Sequence, residues 1–354
     1  MISKLSKSSI VNKFAKSRSM LGGLNQYSRN LIAVAYLTTP FISVYPWNAG
    51  FGTKYADPTT LPPNQGNAVA FNPAGDTIAV AHDTTPFISV YPWSAGFGTK
   101  YANPSSLPSS TGRGVAFNPA GNTIAVAHVT TPFISVYPWS NATGFGTRYA
   151  SPTSLPTGIG TGVIFNPAGN TIAVSHATTP FISVYPWSDS TGFGTRYANP
   201  GTLPPQQGNG VAFNPAGDAI AIAHVTTPFI SVYPWSNATG FGTKYANPAT
   251  LPTGNGLSVA FNPAGTDIAI GHSTTPFISV YPWSAGFGTR YANPSSLPAN
   301  SVNGVVFSPA GDVIFMAHDL SPRIAAYPWS AGFGTRYANP ATLPTGNGRG
   351  IAYF

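Results

Sequence analysis

The chain has 354 residues, among them 38 glycines, 36 prolines and no cysteine, which excludes disulfides, thiolate metal sites and a cysteine nucleophile. Its net charge of +8 suggests a nucleic-acid-binding protein, but residues 1–29 carry six basic side chains and no acidic one, while residues 30–354 carry ten basic and eight acidic ones. We expect neither a membrane span of about 18 apolar residues nor a signal peptide with its apolar core of about 7–15 residues.

Residues 1–29 are predicted to form a separate docking arm, extended or folded as a short helix. Single hydrophobic residues alternate there with basic ones, which is typical of a segment that orders on a partner. We expect contacts with another protein through seven side chains: Leu5, Ile10, Phe14, Leu21, Lys13, Lys16 and Arg18. Nucleic acid or anionic lipid is the weaker alternative, because six charges in 29 residues are few for either.

Residues 30–354 repeat one unit seven times. The tripeptide Tyr-Pro-Trp recurs at intervals of 46 or 48 residues, with its tryptophan at Trp47, Trp93, Trp139, Trp187, Trp235, Trp283 and Trp329. A period in the forties with several short strands per unit is typical of a β-propeller. We therefore predict an all-β fold, a closed seven-bladed propeller with four strands in each blade.

The unit over residues 114–152 shows how a blade is expected to form. Strands are predicted at residues 115–117, 123–127, 133–137 and 145–149, with turns of Asn-Pro-Ala-Gly and Thr-Thr-Pro after the first two. Two sets of loops vary between copies. One precedes the first strand, and the other follows the tryptophan and is two residues longer in three copies. We expect the two sets at opposite faces of the ring.

The fourth strand is predicted to lie at the rim, because a basic residue recurs there in every copy. Cations on an outer strand oppose edge-to-edge aggregation, and a ring that contacts polyanions is the alternative. The candidates for such anion contacts are Lys54, Lys100, Arg148, Arg196, Lys244, Arg290 and Arg336.

The ends of the repeat region are out of phase with the unit. Residue 30 precedes a second strand without a first, and residues 349–354 form a first strand without a second. We expect residues 349–354 to pair with residues 30–36 and to complete the first blade, which closes the ring.

Six copies carry one histidine each, and Tyr36 takes the seventh place; the histidines are His82, His128, His176, His224, His272 and His318. Symmetry puts each on a different blade, too far apart to share a zinc ion with bonds of about 2.0–2.1 Å. We expect each histidine to bond to the Thr-Thr-Pro turn that follows it, and we predict no metal and no cofactor.

The carboxylates give little support for catalysis, since the chain has no glutamate and only eight aspartates. Three of these occupy a turn in which asparagine stands in other copies, which is typical of a turn role: Asp76, Asp218 and Asp312. Asp83 and Asp319 follow a histidine, but only two copies have this arrangement. We therefore predict that the chain is not an enzyme.

Each blade also brings five aromatic residues, in one copy Phe87, Tyr91, Trp93, Phe97 and Tyr101. Large rings that fill the widening gap between blades account for them. Platforms on which sugars stack are the alternative.

The stretch VAFNPAGDTIAVAH and the strand FISVYPW resemble the repeats of WD-repeat and YVTN-type propellers across residues 30–354, although Ser or Asn follows Trp where WD repeats have Asp. The repeated TTPFISVYPWSAGFGTKYANP also resembles propeller proteins of tailed bacteriophages. This resemblance implies a non-enzymatic structural protein located in the virion, with the arm docked to other virion proteins and the propeller projecting outward. The alternative is a lectin-like adhesin that binds glycan on the host surface. We expect no nucleic-acid partner.

Overall fold

The computed structural model describes residues 30–354. This range contains 24 strands and no helix, and the strands form seven antiparallel sheets of three or four strands. The prediction of an all-β, seven-bladed propeller is confirmed. The predicted docking arm, with all seven of its candidate contact residues, lies outside the described residues.

Each sheet is one blade. Blade 1 contains β1 (Leu31–Tyr36), β2 (Ile42–Pro46) and β24 (Gly348–Tyr353). Blade 2 contains β3 (Gly66–Phe71), β4 (Thr77–His82) and β5 (Ile88–Pro92). Blade 3 contains β6 (Gly112–Phe117), β7 (Thr123–His128), β8 (Ile134–Ser140) and β9 (Gly144–Phe145). Blade 4 contains β10 (Gly160–Phe165), β11 (Thr171–His176), β12 (Ile182–Ser188) and β13 (Gly192–Phe193).

The remaining three blades repeat the pattern. Blade 5 contains β14 (Gly208–Phe213), β15 (Ala219–His224), β16 (Ile230–Ser236) and β17 (Gly240–Phe241). Blade 6 contains β18 (Gly256–Phe261), β19 (Asp267–His272) and β20 (Ile278–Pro282). Blade 7 contains β21 (Val302–Phe307), β22 (Val313–His318) and β23 (Ile324–Pro328).

The second strand of every blade is buried along its whole length. In β7 the register places Ala125 between Ala116 on β6 and Val136 on β8, and all six residues of β7 are buried. Alternating small and β-branched side chains allow this, because both faces of the strand must pack against a neighbouring blade. The seven hydrophobic clusters of the core accordingly lie between blades.

The fourth strand is shorter than predicted. It has two residues in blades 3, 4 and 5 and is reduced in the other blades to a single bridge, such as Trp47 with Phe51. Pro138 on β8 has no N–H to donate, so the ladder stops there. After the bond from the N–H of Gly146 to the carbonyl of Pro138, the next backbone bond to β8 is that of Tyr149, whose N–H donates to the carbonyl of Val136; both are 2.9 Å long.

Blade 1 joins the two ends of residues 30–354. Strand β24 pairs with β1 in the register Val34 to Ile351, and the N–H of Leu31 donates to the carbonyl of Phe354 at 2.8 Å. Strand β24 also packs against β21 of blade 7 and β3 of blade 2. The innermost strand of the first blade therefore comes from the last residues of this range.

The first strands stand so close together around the axis that their third position must be small. A Cβ on Gly114 would lie 3.0 Å from the Cα of Gly162, and a Cβ on Gly350 would lie 2.8 Å from the Cα of Ala68. Neighbouring blades thus meet backbone to backbone at this level, and the channel narrows there.

The two-residue insertions are interblade connectors at the face opposite the histidines. The side-chain oxygen of Asn141 accepts from Trp139 Nε1 of its own blade at 2.9 Å and from Thr77 Oγ1 of blade 2 at 2.9 Å. Its amide nitrogen donates to Asp76 at 2.7 Å. Asp189 and Asn237 make the corresponding bonds to Thr123 and Thr171.

We predict that Gly350→Val weakens the junction between blades 1 and 2. The valine Cβ would meet the backbone of β3, and overpacking of this kind costs about 1–3 kcal/mol. The free energy of unfolding, measured with urea, should fall by about that amount.

The matched control is Gly201→Val. A Cβ on Gly201 meets nothing within 4 Å, so this variant should unfold at the urea concentration of the parent. Equal midpoints for the two variants would contradict the close approach of β24 to β3.

Candidate functional site

The strongest candidate site is the mouth of the central channel at the face that carries the histidines. It is a cavity of about 510 Å³ lined by residues of all seven blades. The second position of each first strand points into it, and in ring order these residues are Arg349, Asn67, Arg113, Thr161, Asn209, Leu257 and Asn303. Copies that are otherwise nearly identical differ at this position, so the symmetry of the ring is broken here.

Four of these seven side chains tie neighbouring blades together. Asn67 donates to the carbonyl of Gly112, Asn209 to that of Gly256 and Asn303 to that of Gly348, at 2.7–2.8 Å. Thr161 donates to the carbonyl of Gly208 in the same way. The other three make no bond of this kind within residues 30–354: Arg113, Leu257 and Arg349.

Asp83 lies beside this ring at the junction of blades 2 and 3. Its carboxylate accepts from Nδ2 of Asn67 at 2.6 Å and from the side-chain amide of Gln65. The hydroxyl of Thr111 donates to its backbone carbonyl at 3.0 Å. These bonds hold the carboxylate beside the mouth, against two residues of its lining, Gln65 and Asn67.

Asp319 takes the equivalent position at the junction of blades 7 and 1. Its carboxylate accepts from Asn303 at 2.8 Å and lies 3.5 Å from Nη1 of Arg349. The unit of asparagine, aspartate and arginine therefore occurs twice, two blades apart.

The two arginines differ in their partners. Arg349 is paired with Asp319, whereas Arg113 forms no ion pair within 4.0 Å among the described residues. The side chain of Arg113 is exposed at the mouth. Its guanidinium is thus the cation of the site that is available to an anionic group.

The histidines are core residues, each fully buried. In five blades Nε2 lies 3.0–3.1 Å from a serine Oγ on the third strand, as in His128 with Ser135. The partner of Nε2 is thus a serine that lies outside the turn following the histidine, a partner that the sequence analysis did not predict. Burial lowers the pKa of each histidine to about 4, so these Ser–His pairs are neutral and closed to substrate.

The predicted rim cations are half-buried and lie beyond the short fourth strand. Lys54 forms an ion pair with Asp57, and Arg336 donates to Asn339 at 2.9 Å. Arg196 lies 3.4 Å from Ser183, the partner of a buried histidine. Lys100, Lys244, Arg148 and Arg290 occupy the corresponding positions, and a role of this set in anion contacts stays a prediction.

The aromatic residues fill the outer gap between blades. Each tryptophan is only 4–6% exposed, and in blade 2 the ring of Trp93 meets Phe97 and Tyr55 edge to face at 5.0 and 4.9 Å. These rings do not offer the open faces on which a sugar stacks, so the interpretation as core is the one the packing supports.

Residues 30–354 hold no group of three or more histidine, aspartate or glutamate side chains that could hold a metal ion. This range also holds no helix long and apolar enough to cross a membrane.

The fold defines a class of protein, the repeat β-propeller. Solved structures of this class match nearly the whole chain. They include a proposed 6-phosphogluconolactonase of Bacteroides uniformis at 12% identity, covering 92% of this chain and 99% of that one with a TM-score of 0.70. A periplasmic gluconolactonase of Pseudomonas aeruginosa has 11% identity, the same coverage and a TM-score of 0.66.

A third similar structure, from Desulfotomaculum acetoxidans, is of unknown function; it has 13% identity, coverage of 92% and 98%, and a TM-score of 0.68. No protein-family model matches the chain, and no curated protein matches its sequence. At identities this low the similarity establishes the shared fold and not an activity.

This comparison corrects the predicted function. The role as a structural protein of a phage virion, with a glycan-binding adhesin as its alternative, is wrong, because structures that share the architecture are lactonases by name and the link to phages has no support. The prediction that the chain is not an enzyme is weakened for the same reason. The virion location and the partners of the arm rested on the same resemblance and remain expectations.

The mouth was missed at the level of the sequence. Asp83 and Asp319 were set aside because only two copies carry them, yet both lie beside the ring of second positions. The signal was the alignment of the seven copies on that position, which reads Asn, Arg, Thr, Asn, Leu, Asn and Arg in chain order.

We predict that acid destabilises the propeller through its histidines. In the unfolded chain the histidines take up protons below about pH 6.5, whereas in the folded chain they stay neutral down to about pH 4. Their contribution is therefore complete above about pH 6.5 and is lost as the pH falls toward 4, at up to about 1.4 kcal/mol per histidine and pH unit. Urea midpoints measured from pH 8 to pH 4 should be constant at first and then drop steeply.

The chain offers its own control. Tyr36 stands in the seventh histidine position and bonds to Ser43 at 2.8 Å, and burial raises its pKa to about 12. Replacement of His128, His176 and His224 by tyrosine should halve the steepness of the acid dependence. An unchanged slope would show that other groups cause it.

Proposed function

We propose that the channel mouth binds a small organic anion or a lactone and that the chain opens lactones there. The observation that carries the proposal is Arg113, an exposed guanidinium without an ion-pair partner among the described residues, on the strand next to a carboxylate fixed by two amides. Arginine binds carboxylates and carbonyl oxygens with two parallel N–H groups, which fixes both position and orientation.

The proposed reaction uses one acid–base group and one cation. Asp83 accepts a proton from a water molecule, whose oxygen attacks the lactone carbonyl. Arg113 stabilises the negative charge that develops on the carbonyl oxygen. The ring C–O bond then breaks, the leaving oxygen takes up the proton, and the products are a carboxylic acid and an alcohol in one molecule.

Two further observations support this site. A carboxylate oxygen has two lone pairs, so Asp83 keeps accepting capacity beside its bonds to Asn67 and Gln65. The serine hydroxyls paired with histidines are buried, so they are not available as nucleophiles to a substrate at the mouth. The propellers named as lactonases share the fold, and this favours lactones as the first substrates to test.

We predict that Arg113→Gln strongly weakens this function. Binding of gluconate and hexanoate, measured by calorimetry, should weaken about 10- to 100-fold, the range for a lost hydrogen bond to a charged group. Hydrolysis of glucono-δ-lactone and γ-hexalactone, followed by acid release, should fall with it, and Asp83→Asn should reduce hydrolysis more than binding.

The control is Arg148→Gln, which removes the same charge from the outer part of blade 3 and should leave binding unchanged. Melting temperatures near that of the parent establish that each variant is folded. The proposal is overturned if the folded parent binds neither acid and opens neither lactone, or if Arg148→Gln has the effect of Arg113→Gln.

A further inference from the structure

The mouth is chemically two-sided. Its charged side comprises Arg349 and Arg113 of the lining, from blades 1 and 3, with Asp319 and Asp83 of blades 7 and 2 beside the lining; one apolar residue, Leu37 of blade 1, lines this side as well. Its apolar side comprises Val129, Ile159, Ala177 and Leu257, contributed by blades 3, 4 and 6, and the uncharged polar residues Thr161, Gln207 and Asn209 of blades 4 and 5 lie among them. Along the ring of first strands, Leu257 is three blades from Arg113 in one direction and four in the other, so it faces Arg113 across the cavity.

The apolar side is not required by the fold. The position of Ile159 is taken by glutamine in blades 2 and 5, and the position of Leu257 is taken by asparagine in three other blades. The asparagine at this position donates to the next blade, as Asn209 does to the carbonyl of Gly256 at 2.7 Å, and Leu257 forgoes that bond. Apolar residues therefore replace polar ones that the same backbone accepts.

This replacement also leaves apolar surface in contact with solvent. Ile159 is 39% exposed, and it is one of two strongly exposed large hydrophobic residues in residues 30–354. Exposed apolar surface inside a cavity is typical of a place where a ligand is bound.

We infer that the ligand is amphipathic: a carboxylate or lactone head that Arg113 holds, joined to an unbranched alkyl chain that lies against Ile159 and Leu257. This inference rests on the proposed function and names its substrate class. A polyhydroxylated sugar acid would leave hydroxyl groups against the apolar side without hydrogen-bond partners, whereas an alkyl chain is desolvated there with a gain in affinity.

The test compares butyrate, hexanoate, octanoate and gluconate by calorimetry with the full-length protein. Affinity should rise with chain length, by up to about fourfold for each methylene that becomes fully buried. Gluconate, which is as long as hexanoate, should bind more weakly. The same order is expected for kcat/KM with γ-lactones of increasing side-chain length against glucono-δ-lactone.

Two variants copy residues that other blades already carry, Ile159→Gln and Leu257→Asn. Both should flatten the dependence on chain length and leave butyrate affinity within about twofold, since only the chain contacts are lost. The control is Leu320→Thr, which restores the threonine of other turns at an apolar residue that is 53% exposed and lies outside the lining of the mouth. It should keep the full dependence.

The outcomes separate the two proposals. Arg113-dependent binding of gluconate with no gain along the alkyl series overturns the amphipathic ligand and keeps the proposed function. A gain along the series that survives in Leu257→Asn and Ile159→Gln together also overturns the inference. Failure of the folded protein to bind any of the four acids or to open any lactone overturns the proposed function and the inference with it.

Discussion

The close approach of seven backbones around one axis is the constraint on which the rest of this structure depends. Neighbouring first strands meet at distances that a single Cβ would violate, as between Gly350 and Ala68. Blades that touch at the axis must diverge toward the rim, so larger side chains are needed there to fill the gap between them. Small residues, mostly glycine, stand at the inside, β-branched residues in the middle, and tryptophans that are 4–6% exposed at the outside. One short sequence can satisfy this gradient, and its repetition therefore builds the ring.

Seven identical blades would present the same residues all around each face of the ring. A site with one defined arrangement of side chains therefore requires the copies to differ. The differences lie where packing between blades restricts the size of the side chain least. At one face, two-residue insertions bring Asn141 and its counterparts onto a neighbouring blade. At the other face, the second position of the first strand points into the channel instead of into a blade interface. A change of residue there alters the surface of the mouth without a change in the core, which is why Arg113 and Leu257 can coexist in one ring.

The repeat alone was enough to predict the blade number, the first three strands of each blade and the aromatic core, because these follow from spacing and alternation within one unit. The features that escaped prediction all involve bonds between units or across strands. The histidine bonds to a serine on the third strand, and the fourth strand fades after Pro138. Asp83 is held by Asn67 and Gln65 through the pairing of β3 with β4. Only the aspartate is specific to individual copies: Asp83 and Asp319 occur in two of the seven, so a consensus of the repeat does not contain them.

Three of the seven second positions on the first strands make no hydrogen bond to the next blade, and the differences between copies therefore lower the stability of the ring. Asn67, Thr161, Asn209 and Asn303 each satisfy a carbonyl of the next blade, and a hydrogen bond of this kind contributes about 1 kcal/mol. Arg113, Leu257 and Arg349 give up that contribution at three of seven interblade contacts. The loss is tolerable because each of those contacts retains its buried cluster of apolar side chains. Local loss of stability at a functional site is a common cost of binding, and at these three positions the lost bond leaves a charged or apolar group in the lining of the mouth.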